Sequence, residues 1–183
     1  MARFTVKQNG QPTEAWLPDL MEATDATGNE ADFGNINYAA TNGVWDGQGT
    51  SMNPSEVWRL RTSFTRHKDF APEQMWASPD LPVRNGSLLP ANLTTNFQSF
   101  QLSVEASGWT VRAKLSPKPK DAKLRLVEIV DNRGTKVEPT GGLFFYSEFD
   151  VQWKIPADAE SIRIAIALAE MRHFEFFAQP VRQ

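Results

Sequence analysis

Residues 20–29, LMEATDATGN, have a near copy at 126–135, LVEIVDNRGT. Leu20 aligns with Leu126, Glu22 with Glu128, Asp25 with Asp131 and Gly28 with Gly134, all at an offset of 106 (126 minus 20). Two further blocks keep the same order and nearly the same spacing: FTVK at 4–7 with WTVR at 109–112, and RHKDF at 66–70 with RHFEF at 172–176. Between them VWRLRTSF overlays SIRIAIAL, strand pattern on strand pattern. Self-similarity at a fixed spacing marks a duplicated unit. A diverged tandem duplication is therefore the expectation on which the rest of the sequence is organised.

Period-2 alternation dominates the chain, and it implies strands because successive side chains of a strand point to opposite faces. In EVWRLRTSF, Trp58, Leu60, Thr62 and Phe64 fall on one face and Arg59, Arg61 and Ser63 on the other. GWTVRAKLS places Trp109, Val111, Ala113 and Leu115 together, and FDVQWKI places Phe149, Val151, Trp153 and Ile155 together. SIRIAIALA sets Ile162, Ile164, Ile166 and Leu168 opposite small Ala residues, the pattern of a central strand covered on both sides. Only APEQMWA, with Pro72 and Glu73 at its start, has the opening of a short helix. DATG at 25–28 and DNRG at 131–134 begin with Asp, which can bond its own backbone, and end with Gly, which accepts positive φ.

Many short strands with such punctuation predict an antiparallel sandwich or barrel. Each copy has about the size of a small immunoglobulin-like or fibronectin-type-III-like domain. The predicted fold is all-β: two tandem immunoglobulin-like antiparallel β-sandwiches, at residues 1–76 and 95–183. Residues 77–94, rich in Pro, Asn and Ser, are expected to form a stiff linker. FQSFQLSVEAS at 97–107 supplies an extra leading strand to the second copy. The first lacks one, so either residues 95–105 or a neighbouring chain would complete its sheet edge.

Composition narrows the function classes. Of 183 residues, 40% are apolar and 22% charged, with 12 Phe and 6 Trp, enough for a packed core and too much for wholesale disorder. Net charge is -3 with a pI near 5.5, and the densest basic run is PKPK. That balance argues against nucleic acid as a partner and against docking on anionic membranes. Cysteine is absent, which removes disulfides, thiolate catalysis and thiolate metal sites. MARFTVKQNG lacks the apolar stretch of a signal peptide, so a cytoplasmic location is the default and the sequons at Asn85 and Asn92 carry little weight.

Catalytic motifs are missing from the sequence: there is no GxSxG elbow, GxGxxG loop or GxxxxGK[ST] loop. The two histidines, His67 and His173, occupy the same position in the two copies, which suits a strand-end structural role better than catalysis. One His per copy is also a poor start for zinc, and DATGNEAD does not follow the spacing of a calcium loop. No cofactor or metal is expected. Trp58, Trp109 and Trp153 are expected in the core. Trp45, in a Gly/Asp-rich loop, and Trp76, before the linker, are candidates for a stacking platform or an interface anchor, with packing between the copies as the simpler alternative. Arg66 and His67 complete the candidate binding set.

The leading functional expectation is a non-enzymatic binding or structural module that engages a partner protein, or itself, through loops or a sheet edge. A carbohydrate-binding module using exposed Trp is the alternative. A hydrolase or lyase with a carboxylate pair is the third class, because carboxylates are plentiful and only their separation would diagnose one.

Overall fold

The computed structural model describes residues 2–31, 44–47 and 57–178. In chain order the strands are β1 (Ala2–Thr5), β2 (Lys7–Gln8), β3 (Gln11–Pro12), β4 (Trp16–Asp25), β5 (Glu30–Ala31), β6 (Val44–Gly47), β7 (Trp58–Arg66) and β8 (Met75–Ala77). They continue as β9 (Leu81–Arg84), β10 (Ser87–Phe97), β11 (Phe100–Gly108), β12 (Thr110–Ser116), β13 (Ala122–Asp131), β14 (Pro139–Phe144), β15 (Glu148–Trp153) and β16 (Ser161–Ala178). The chain is all-β, as expected, and its strands form a large antiparallel sheet. The chain divides into two compact units, Met1–Lys68 with Met171–Gln183 and Asp69–Glu170. Strand β16 contributes Ser161–Glu170 to the second unit and Met171–Ala178 to the first.

The second unit is sandwich-like. One layer runs β14-β15-β12-β11-β10-β9, and the other pairs the first part of β16 with β13 on one side and with β8 and β9 on the other. Alternation decides which side chains fill the space between. Val111, Ala113 and Leu115 from β12 and Phe149, Val151 and Trp153 from β15 meet Leu124 and Ile129 from β13 and the Ile162, Ile164, Ile166 row of β16 in one buried cluster. The three isoleucines are fully buried, and Ala167 and Ala169 are buried as well. Small residues let this strand pack tightly on its second face.

In the first unit β7 lies between β4 and Met171–Ala178 of β16, and β5 pairs the far edge of β4. Two small clusters form on the apolar face of β7: Ala15, Trp16 and Phe64, and Ala23, Trp58 and Leu60. β1 pairs β6 with Phe4 opposite Trp45.

The turns at DATG, 25–28, and DNRG, 131–134, are built alike. Asp25 accepts bonds at one carboxylate oxygen from Thr27 N and Asn29 N, both at 2.9 Å, and its carbonyl accepts from Gly28 N at 3.1 Å. Asp131 accepts from Arg133 N at 2.9 Å and Thr135 N at 2.8 Å, and its carbonyl accepts from Gly134 N at 2.9 Å. Gly28 and Gly134 take φ of +87° and +79°, the left-handed region in which a Cβ is strained. The registers around the turns correspond too: Thr24 pairs Glu30 and Asp25 pairs Trp58, while Val130 bridges Lys136 and Asp131 pairs Ile162.

Elsewhere the structure departs from the sequence expectations. Residues 77–94 are not a spacer: they complete β8, form β9 and make up most of β10. Pro90 sits at the register shift between Leu88 and Ala91, where a sheet tolerates a missing donor. The helix expected at APEQMWA is a single 3-10 turn, Pro72–Gln74, that runs directly into β8. Residues 97–107 pair with β10 and β12 inside the second unit and do not complete the first. Trp109 is 68% exposed: its parity matches Val111, but it stands in the turn ahead of β12, past the end of the core. Phe70 lies in the segment after β7 whereas Phe176 is within β16, so the RHKDF and RHFEF blocks are not equivalent in place.

Two outcomes follow. Ile164→Ala leaves a cavity in the fully buried row and should cost about 2–5 kcal/mol, whereas exposed Leu89→Ala should stay within about 0.5 kcal/mol, both read from urea unfolding. Hydrogen bonds from the Asn29 side chain foremost hold the Asp25 carboxyl down at about 2 against an ordinary 3.8. A depressed folded pKa means that the unfolded chain takes up the proton first, so this contribution is complete above about pH 4 and is lost as pH falls towards 2. Thermal melts over that window should fall more steeply for the wild type than for Asp25→Asn.

Candidate functional site

The stretch 139–147, PTGGLFFYS, carries no charge and holds four consecutive large apolar residues, Leu143 to Tyr146. Four in a row cannot all face a core when neighbours point to opposite faces. In the structure the stretch is β14 and the turn after it, and every residue of β14 is exposed. Leu143, Phe144 and Phe145 are 63%, 47% and 51% exposed. β14 ends the sheet: it pairs β15, and no strand lies on its other side among the described residues.

Local contacts fix this edge firmly. Gly142 is required by close approach, since a Cβ there would stand 2.9 Å from the Asp150 carbonyl oxygen and 3.1 Å from Val151 Cα. Phe144 stacks at a tilt on Phe149, ring centres 6.1 Å apart. The turn is tied to both layers, with Leu124 N donating to the Tyr146 carbonyl and Leu115 N to the Ser147 carbonyl, each at 2.8 Å. The Tyr146 ring lies beneath two ammonium groups, Lys123 at 4.9 Å and Lys118 at 5.7 Å.

Pairing parity assigns the side chains of β14 to two faces. Phe144 is opposite Phe149 and so shares the core-side face, while Leu143 is opposite Asp150 on the outer face. Beside Phe144 a groove of about 230 Å³ runs between β14 and β13, lined by Leu126, Ile129, Val137 and Pro139, with the Glu128–Lys136 pair at 3.1 Å on its rim. The outer face behind the edge has a different character. Arg112 bonds Asp150 at 2.7 Å, which raises its own pKa, and Lys114 faces Glu148 at 3.8 Å. A charged, solvated sheet face therefore ends in an apolar rim. Monomeric proteins protect exposed edges with charge or cover them; residues 139–147 carry no charge, and no strand covers β14 among the described residues.

The residues singled out from the sequence are scattered. Trp76 is half-buried, paired with Ile166 and packed on the second unit's core. Arg66 stands over Trp16 at 5.8 Å and its Nε donates to the Lys68 carbonyl at 3.3 Å. His67 follows the end of β7, its backbone N–H donating to the Ala15 carbonyl at 2.9 Å. Trp45 lies in β6, and its side chain is outside the described residues. The β14 rim went unnoticed in the sequence although its signal was present: a run of LFFY after two glycines breaks the period of a strand protein.

No model of a known protein family matches the chain, and no curated protein and no solved structure does either. Among the described residues no cluster of three or more His, Asp or Glu is placed to hold a metal, and no helix is long and apolar enough to cross a membrane.

Close approach at Gly142 gives a direct check on the rim. Gly142→Ala should destabilise by about 1–3 kcal/mol because backbone atoms must move, whereas Gly141→Ala, with open space around its Cβ, should melt like the wild type.

Proposed function

We propose that this protein is a non-enzymatic binding module that takes up an extended segment of a partner protein as an added strand along β14. The observation that carries this proposal is the uncharged, exposed and one-sided β14 edge, fixed to the body by Gly142 and by the turn's backbone bonds. Main-chain hydrogen bonds would supply affinity, and the alternate side chains of the segment would meet Phe144 and the β13 groove on one face and Leu143 on the other. The absence of charge from Pro139 to Ser147 suits an apolar segment. The same proposal includes descent of the two units from one immunoglobulin-like ancestor. The matching Asp turns, and the shared order in which β1 pairs β6 and β4 pairs β7 as β12 pairs β15 and β13 pairs β16, support it. A carbohydrate-stacking function draws instead on Trp109, whose indole stands exposed on its turn.

A random ten-residue peptide library selected on the immobilised chain tests strand addition. Bound peptides should slow hydrogen exchange at the Thr140–Phe144 amides, and Phe145→Lys or Leu143→Lys should weaken them about tenfold or more, since a rim charge opposes an apolar strand. Peptides that bind with no protection of β14, or bind both lysine variants equally well, would exclude the proposal.

A further inference from the structure

We infer that the tip of the second unit at which β14 ends docks on an anionic lipid surface, its aromatic turn entering the interface and its lysines meeting the headgroups. Two segments distant in sequence make the tip. The turn after β14 carries Phe145 and Tyr146, both exposed, with Leu143 and Phe144 exposed at the end of the strand. The loop between β12 and β13, residues 117–121, is held beside it: Leu115 at the end of β12 and Leu124 near the start of β13 donate from their backbone N–H groups to the Ser147 and Tyr146 carbonyls, each at 2.8 Å. That loop contributes Lys118 and Lys120, both exposed, and β13 contributes the half-buried Lys123.

Charge at this tip does not follow the whole-chain balance of -3. Residues 112–123 and 139–150 hold Arg112, Lys114, Lys118, Lys120 and Lys123 against Asp121, Glu148 and Asp150, a local balance of +2 (5 minus 3). The acids that pair Arg112 and Lys114 are inside the count, so the excess does not depend on any lysine being unpaired. With Glu170, opposite Ala122 in register, the balance is still positive. Lys118 and Lys123 set their ammonium groups over the Tyr146 ring, at 5.7 Å and 4.9 Å, which fixes positive charge beside the aromatic turn. The turn's backbone is also prepared for an apolar phase. Phe145 N–H donates to the Glu148 carbonyl at 2.8 Å, and the Tyr146 and Ser147 carbonyls already accept the bonds named above. Open backbone groups are costly in lipid, so a turn bonded in this way enters with less penalty. Aromatic side chains settle at headgroup level, and lysine stems lie along apolar surface while their ammonium groups stay in water. An apolar anchor alone holds a bilayer weakly, and a basic patch is the second signal that makes the attachment stable. The inference does not rest on strand addition, since it uses the turn and the lysines rather than the β14 backbone.

Co-sedimentation of the full chain with sucrose-loaded vesicles, with no peptide present, tests it. Phosphatidylcholine vesicles containing about 30% phosphatidylserine should bind about tenfold or more tightly than pure phosphatidylcholine, and the binding should weaken as salt is raised. Lys118→Gln combined with Lys120→Gln should weaken it about twentyfold, at about fivefold for each lysine lost. Phe145→Ser should weaken it about tenfold by removing the anchor. All three positions are exposed, so these variants should melt like the wild type. No binding up to about 1 mM lipid, equal binding to both kinds of vesicle, or binding unchanged in the lysine pair or in Phe145→Ser would overturn the inference. So would capture of a single-stranded oligonucleotide through the same lysines with vesicles left unbound, which would make the tip a nucleic-acid surface.

Discussion

Burial of the isoleucine row on β16 is the constraint from which the rest of the architecture follows. Ile162, Ile164 and Ile166 have no exposed surface, and Ala167 and Ala169 are buried on the same strand. A strand apolar on both faces must have neighbours along both edges and cover on both sides. β13 supplies one edge, and β8 with β9 the other. Burying such side chains contributes about 1.5–3 kcal/mol each, so this row is among the largest single sources of stability in a chain without disulfides. From Met171 onward the same strand changes pattern, with Arg172, Phe174 and Phe176 alternating against His173 and Glu175, and it becomes the neighbour of β7 in the first unit.

Strands and turns were legible in the sequence because their causes are local. The alternation at Trp58–Phe64, at Val111–Leu115 and at Ile162–Leu168 corresponds to buried positions, and the two Asp-Gly turns take the self-bonded form that their residues favour. What was not legible depends on partners distant in sequence. Nothing in 77–94 announces that Leu81 will pair Ile162, and prolines that read as a spacer are absorbed at a bulge. Trp109 has the right parity and the wrong place, because parity does not say where a strand stops. The aromatic groups of both candidate sites were visible as residues. That Tyr146 would stand beside Lys118 was not, since 28 positions separate them (146 minus 118).

Electrostatics follow a division of labour. Exposed ion pairs, such as Arg59 and Arg61 on Glu175 or Arg112 on Asp150, keep the outer sheet faces solvated and are worth little individually. The turn aspartates are different: Asp131 is buried at its side chain and bonded by Arg133, which also reaches Asp158, and these contacts lower both carboxyls. Charge is thus placed where it shapes turns or keeps sheet faces in water, and it is withheld from the β14 rim. An edge left apolar and unpaired has a standing preference for another strand.

Hydrogen exchange on the monomeric chain, read segment by segment, tests the central claim that a firmly buried sandwich presents β14 as an edge with no strand on its outer side among the described residues. Amides of Ile162–Leu168 should be the slowest to exchange, and those of Thr140–Phe144 should exchange far faster, because they lie at an edge whose outer side faces water. Protection of the Thr140–Phe144 amides equal to that of the isoleucine row would contradict it, for β14 would then already be covered.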